Sequence, residues 1–104
     1  MKTIISSEGN GLKSTFDLRF GRAAWFCLLD EETGTTRFFE NEFKNESQGA
    51  GGKVVEHVIE LGVTKVISGD FGPKAKDLLE KFNIQMVILP DGNKSVEEII
   101  AQLK

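Results

Sequence analysis

Near residue 50 the hydrophobic residues of this chain change their spacing, and that change dictates the architecture. Before it, apolar side chains fall in short β-branched or aromatic runs: Thr3, Ile4 and Ile5 within Lys2–Ser6, then Ala23–Leu29 (AAWFCLL), then Thr36–Glu40 (TRFFE). Such runs predict three strands. AAWFCLL is apolar at both parities, as in a strand covered on both faces, and Asp30–Thr35 with Gly34 turns it into the third strand. After the change, Val54, Val55, Val58, Ile59 and Leu61 recur at helical spacing and Gly62 closes the stripe. Ala75, Leu78, Leu79 and Phe82 do the same behind Pro73, a residue suited to the first helical position. Val96, Ile99, Ile100 and Leu103 follow a Ser95–Glu98 capping box. Two apolar strand runs, Val63–Ser68 (VTKVIS) and Gln85–Leu89 (QMVIL), separate these helices.

The order βββαβαβα follows. Strand–helix–strand units require parallel crossovers, so the third, fourth and fifth strands are predicted to run parallel, while the hairpin adds an antiparallel neighbour. The expected fold is an α/β domain of three layers, α/β/α, around a mixed five-stranded sheet of ribonuclease-H-like type. It is expected to fill residues 1–104 as a single domain, with the second and fifth strands covered on both faces and the third an exposed edge able to pair. A hydrophobic fraction of 39% and a charged fraction of 28% suit one small globular core.

Composition excludes several classes of function. Thirteen Lys and Arg against 16 Asp and Glu leave a net charge of −3, which argues against a general nucleic-acid binder. One cysteine and one histidine rule out a disulfide framework and a multi-cysteine zinc or iron–sulfur cage. A metal handled by this chain has to arrive wrapped in other ligands. The start MKTIISSEGNG has no signal-peptide core, and no window approaches the roughly 18 apolar residues of a membrane span. A cytoplasmic protein with no membrane partner is expected.

In open α/β sheets ligands sit beyond the carboxyl ends of the parallel strands. Three segments are predicted to converge there: the long loop after the first strand, which ends in Arg19, Phe20, Gly21 and Arg22; Gly49, Ala50, Gly51 and Gly52; and Gly69, Asp70, Phe71 and Gly72. The last two lead into helices, whose starts carry unpaired N–H groups and positive partial charge. Two arginines add full charge and planar donors. Together these describe an anion-binding concavity. Each part has a plainer explanation as well: glycines as turns, Phe20 and Phe71 as loop anchors, Arg19 and Arg22 as surface partners of Asp17 or Glu8. Neither glycine cluster has the spacing of a P-loop or of a dinucleotide fingerprint.

Catalysis finds little material. Lys2–Ser6 carries no carboxylate for a nuclease metal pair. Cys27 is expected as a small core hydrophobe and His57 on a solvated helix face, which leaves no nucleophile–base pair. The chain is therefore expected not to be an enzyme. Were it one, acting on a small acidic or phosphorylated metabolite, Asp17 and Asp70 would be its carboxylate pair.

The segment DLRFGRAAWFCLLD, the GAGG helix entry and GVTKVISGDFGPKAKDLL (62–79) resemble the dinitrogenase iron–molybdenum cofactor-binding family, which includes NifX, the tail domain of NifB, the NafY core and the orange-protein group. The resemblance covers nearly the whole chain. It implies a ribonuclease-H-like domain that binds or carries a preassembled iron–molybdenum–sulfur or other metal–sulfur cluster, held non-covalently, and that works with a cluster donor or acceptor protein. Carried over, the cluster pocket is Arg19–Arg22, Gly49–Gly52 and Gly69–Gly72. Many relatives have histidine where this chain has Arg19. A guanidinium stays protonated and cannot ligate a metal, so it would hold a cluster by charge and hydrogen bonds. The alternative is a regulatory or adaptor domain that binds a partner protein.

Overall fold

A computed structural model describes residues 1–46 and 49–103 of the chain. The apolar runs form β1 (Lys2–Ser7), β2 (Trp25–Asp30), β3 (Thr35–Glu40), β4 (Lys65–Ser68) and β5 (Gln85–Ile88). The helical stripes form α1 (Ala50–Glu60), α2 (Pro73–Lys81) and α3 (Val96–Gln102), giving the order βββαβαβα.

The five strands make one mixed sheet in the order β3-β2-β1-β4-β5. β2 is antiparallel to both β1 and β3, while β4 is parallel to β1 and to β5. Strands β1, β3, β4 and β5 therefore all point the same way. α1 carries the chain from the β3 edge across to β4, which lies beside β1. The carboxyl ends of β1 and β4 are adjacent, at the place where one connection leaves for the long 8–24 loop and the other for α2.

Alternation along the strands divides the core in two. Ile4, Phe26, Leu28 and Val66 face α1 and α2, where Val54, Val55, Val58, Ala75 and Leu79 complete one cluster. Ile5, Cys27 and Ile67 face the other way, under Phe16 and the α3 residues Val96 and Ile99. The result is three layers, with α1 and α2 on one face and α3 on the other.

The fifth strand departs from expectation. An apolar run predicts cover on both faces, but β5 is a sheet edge, and Ile88 is 58% exposed. Edge position removes one neighbouring strand, and hydrophobic runs do not report strand order. His57 also differs from a solvated residue: it is half-buried, with its ring 5.1 Å from that of Phe39.

The long loop after β1 is tied down at many points. Phe16, fully buried, donates its N–H to the Lys94 carbonyl at 2.8 Å, and Asp17 donates its own to Ser6 at 3.1 Å. No helix among the described residues is long and apolar enough to cross a membrane.

Candidate functional site

A cleft of about 370 Å³ opens where the end of the long loop meets the starts of α1 and α2. Arg19, Phe20, Gly21 and Arg22 line it from the loop, Gly49–Gly52 from α1, and Asp70 with Gly72–Ala75 from α2 and its approach. Gly69 and Phe71 lie outside this lining. Phe71 is instead 7% exposed and stacks 5.1 Å from Phe20, which itself packs on Phe26 at 5.8 Å. Gly69 is needed for close packing, because a β-carbon there would stand 2.5 Å from Leu18 Cδ2.

Glycines at the α1 start let three backbone segments meet. A β-carbon on Gly51 would lie 3.1 Å from the Ala75 β-carbon, so the two helix starts touch through their smallest residues. Gly49 caps α1 in the left-handed region, at φ 75°, which disfavours a side chain. Gly72 is different. Its φ is −61°, open to any residue, and a β-carbon there would meet nothing within 4 Å. Neither backbone conformation nor packing within the protein calls for glycine at that point in the cleft wall.

The helix starts at the cleft differ from that of α3. α3 has its first N–H groups answered: Val96 donates to Ser14, Glu97 to Leu12 and Glu98 to the Ser95 hydroxyl, with Glu97 and Glu98 as acids in its first turn. Among the described residues no side chain caps the start of α1 or α2, and no acid occupies the first turn of either. Among the described residues the first N–H to find a carbonyl is that of Lys53, bonded to Gly49, in α1 and that of Lys76, bonded to Gly72, in α2. The N–H groups of Lys74 and Ala75 have no partner among the described residues, and Gly51, Gly52, Lys74 and Ala75 all line the cleft at the positive ends of two helix dipoles.

Three cations and one carboxylate share the same lining: Arg19, Arg22, Lys74 and Asp70. Arg22 is exposed and donates to the carbonyl oxygens of Lys44, at 2.8 Å, and of Glu46, which ties the segment before α1 to the loop. Asn41, buried, reinforces that tie by donating to the Gly21 and Ala23 carbonyls at 3.0 and 2.8 Å. Arg19 pairs with Asp17, and that hydrogen bond, followed by its charge, holds the guanidinium pKa above its ordinary value. The sequence does not single out Lys74. A lysine in the first turn of a helix reads as solvated surface, and only its place after Gly72-Pro73 marks it.

No histidine, cysteine or methionine lines the cleft, and no group of three or more His, Cys, Asp or Glu among the described residues could hold a bare metal ion. Cys27 is fully buried mid-strand, and burial pushes its thiol pKa up to about 12. The donor set therefore suits an anion with hydrogen-bond acceptors on its surface, and Asp70 is the single carboxylate it offers among the described residues, too few to hold a bare metal ion. A larger cavity, about 480 Å³, lies on the α3 side toward the β2–β3 hairpin. Among the described residues its lining holds no cation, and its two carboxylates are engaged, Glu31 by Lys65 and Glu97 by Lys13.

The family model described as dinitrogenase iron-molybdenum cofactor matches residues 1–104. Among solved structures the chain is similar to the apo form of the orange protein from Desulfovibrio gigas, with 28% identity over 98% of this chain and 85% of that one, at a TM-score of 0.89. It is also similar to a putative NifB protein from Thermotoga, with 28% identity, the same coverage and a TM-score of 0.85. No curated protein matches the sequence significantly.

Proposed function

This chain belongs to the dinitrogenase iron–molybdenum cofactor family, and from that membership we propose that it holds a preassembled anionic metal–sulfur cluster in the cleft between the starts of α1 and α2. It acts as a carrier in cofactor biosynthesis or delivery, without chemistry of its own, and exchanges its cargo with a donor or acceptor protein. The observation that carries this reading is the contrast among the helix starts. Among the described residues only the two at the cleft lack both side-chain caps and first-turn acids, and the cations of the lining stand beside them.

The residues fit such a cargo in a particular way. Amide N–H groups and the Arg19, Arg22 and Lys74 side chains donate to sulfides or to an organic acid on the cluster, and none of them enters a metal coordination sphere. Retention is by outer contacts, which suits a protein that must give its cargo up. Gly72 supports the same reading, since its missing side chain leaves room in the wall that none of the described residues occupies.

The test is anaerobic addition of isolated iron–molybdenum cofactor followed by size separation. A visible chromophore should co-elute with the protein at about one cofactor per chain. Failure of the wild-type chain to retain any cofactor would overturn the proposal. Lys74→Gln, at an exposed side chain that makes no hydrogen bond or ion pair among the described residues, should lower retention with little change in stability.

A further inference from the structure

Asp17 is a buried carboxylate outside the cleft lining, paired with Arg19, which lines it. Asp17 is 2% exposed. Its N–H donates to the Ser6 carbonyl at 3.1 Å, and its carbonyl accepts from the Ser6 hydroxyl at 2.6 Å. That hydroxyl in turn shares a 2.8 Å hydrogen bond with Ser68, so Asp17 is fixed to the adjacent carboxyl ends of β1 and β4. A carboxylate this buried is costly unless hydrogen-bonded and paired. Every side-chain hydrogen bond it makes among the described residues comes from Arg19: the backbone N–H at 2.9 Å and the Nε and Nη2 groups at 3.2 Å each.

The geometry of that pair decides what Arg19 offers a ligand. A guanidinium has five N–H donors in a rigid fork. Asp17 takes the Nε edge, and the Nη1 donors have no partner among the described residues. The Arg19 side chain is 66% exposed and lines the cleft. An unsupported arginine at such a lip would lose rotamer freedom on capturing a ligand, whereas one already held pre-pays that ordering.

We infer that Asp17 is a positioning residue: it presents Arg19 to the cargo and fixes the guanidinium edge that meets it. This deepens the cluster-holding reading and rests on it. The inference has a sign that separates it from simple electrostatics. Removing a carboxylate beside an anion site makes the site more positive, which by charge alone strengthens anion binding. Positioning predicts the reverse.

The test compares wild type, Asp17→Asn, Arg19→Gln and the double variant. Retention of isolated iron–molybdenum cofactor is measured anaerobically and urea unfolding is followed for each. Asp17→Asn should weaken retention about tenfold, the scale of one lost charged hydrogen bond, despite the added positive charge. In the Arg19→Gln background the same change should cost less than about twofold, since there is no fork left to position. A gain in affinity, or an equal loss in both backgrounds, would overturn the inference. A second readout needs no cargo. The Arg19 Nε–H should give a distinct, slowly exchanging NMR signal in wild type that disappears in Asp17→Asn, and its absence from wild type would also overturn the inference. Wild type that shows this signal but retains no cofactor would instead count against the proposed cargo.

Discussion

Gly21 lies against the first turn of α1 so closely that a β-carbon on it would stand 3.0 Å from the Gly51 amide nitrogen and 3.1 Å from its α-carbon. The contact is backbone to backbone, so no flexible side chain can yield. It sets the distance between the Arg19–Arg22 loop and the start of α1, and with it the width of the cleft. Gly21→Ala should therefore cost about 1–3 kcal/mol, as overpacking does elsewhere, and should lower cofactor retention with it. Urea unfolding and anaerobic retention measured on one preparation check both.

Gly72 makes the opposite prediction. With φ at −61° and open space around its α-carbon, Gly72→Ala asks nothing of the fold. The loss of unfolded-state freedom favours the variant, while alanine is a poorer helix N-cap than glycine. The two effects offset, and stability should change by no more than about 0.5 kcal/mol. Retention of the cofactor should nonetheless fall, because the new methyl group occupies the cleft wall. A variant that is equally stable and equally retentive would remove Gly72 from the site.

Much of the architecture was legible from residue spacing, for definite reasons. Helical stripes and their end signals are local, so Pro73, Gly62 and the Ser95–Glu98 box mark their elements without help from the rest of the chain. Strand order is not local. QMVIL reads the same at the centre of a sheet as at its edge, and only pairing with β4 alone exposes Ile88. At the cleft, glycine and arginine content pointed to the segments but not to the division of labour inside them. Packing explains Gly21, Gly51 and Gly69, conformation explains Gly49, and neither explains Gly72. Those distinctions depend on what faces each α-carbon across the fold.

The capping box gives α3 a pH-dependent anchor. The Ser95 backbone N–H and hydroxyl hold the Glu98 carboxyl below its ordinary value of 4.5. The stabilisation is present above that value and is lost as pH falls through the lower folded value. Glu98→Gln should thus be less stable than wild type at neutral pH, with the gap closing in acid. Ser95→Ala should cost about 1 kcal/mol at neutral pH. Unfolding midpoints across the acid range measure both.

Cys27 supplies the alkaline counterpart. Its ordinary value is 9.0 and burial raises it to about 12 in the folded chain. Between those values the unfolded chain has released a proton that the folded chain keeps, so stability declines as pH rises through the window. Cys27→Ala should show a shallower alkaline decline, whatever its cost at neutral pH. In the native protein at pH 8 a thiol reagent should label Cys27 only as fast as the sheet opens.

We propose that the cargo sits against the starts of α1 and α2. Backbone amide NMR of the labelled chain, recorded before and after anaerobic addition of isolated iron–molybdenum cofactor, tests it directly. The signals of Gly51, Gly52, Lys74 and Ala75 should shift or broaden first and most, with α3 unaffected. Perturbation centred on Leu12, Ile100 and Leu103, in the larger cavity on the α3 face, would contradict the claim.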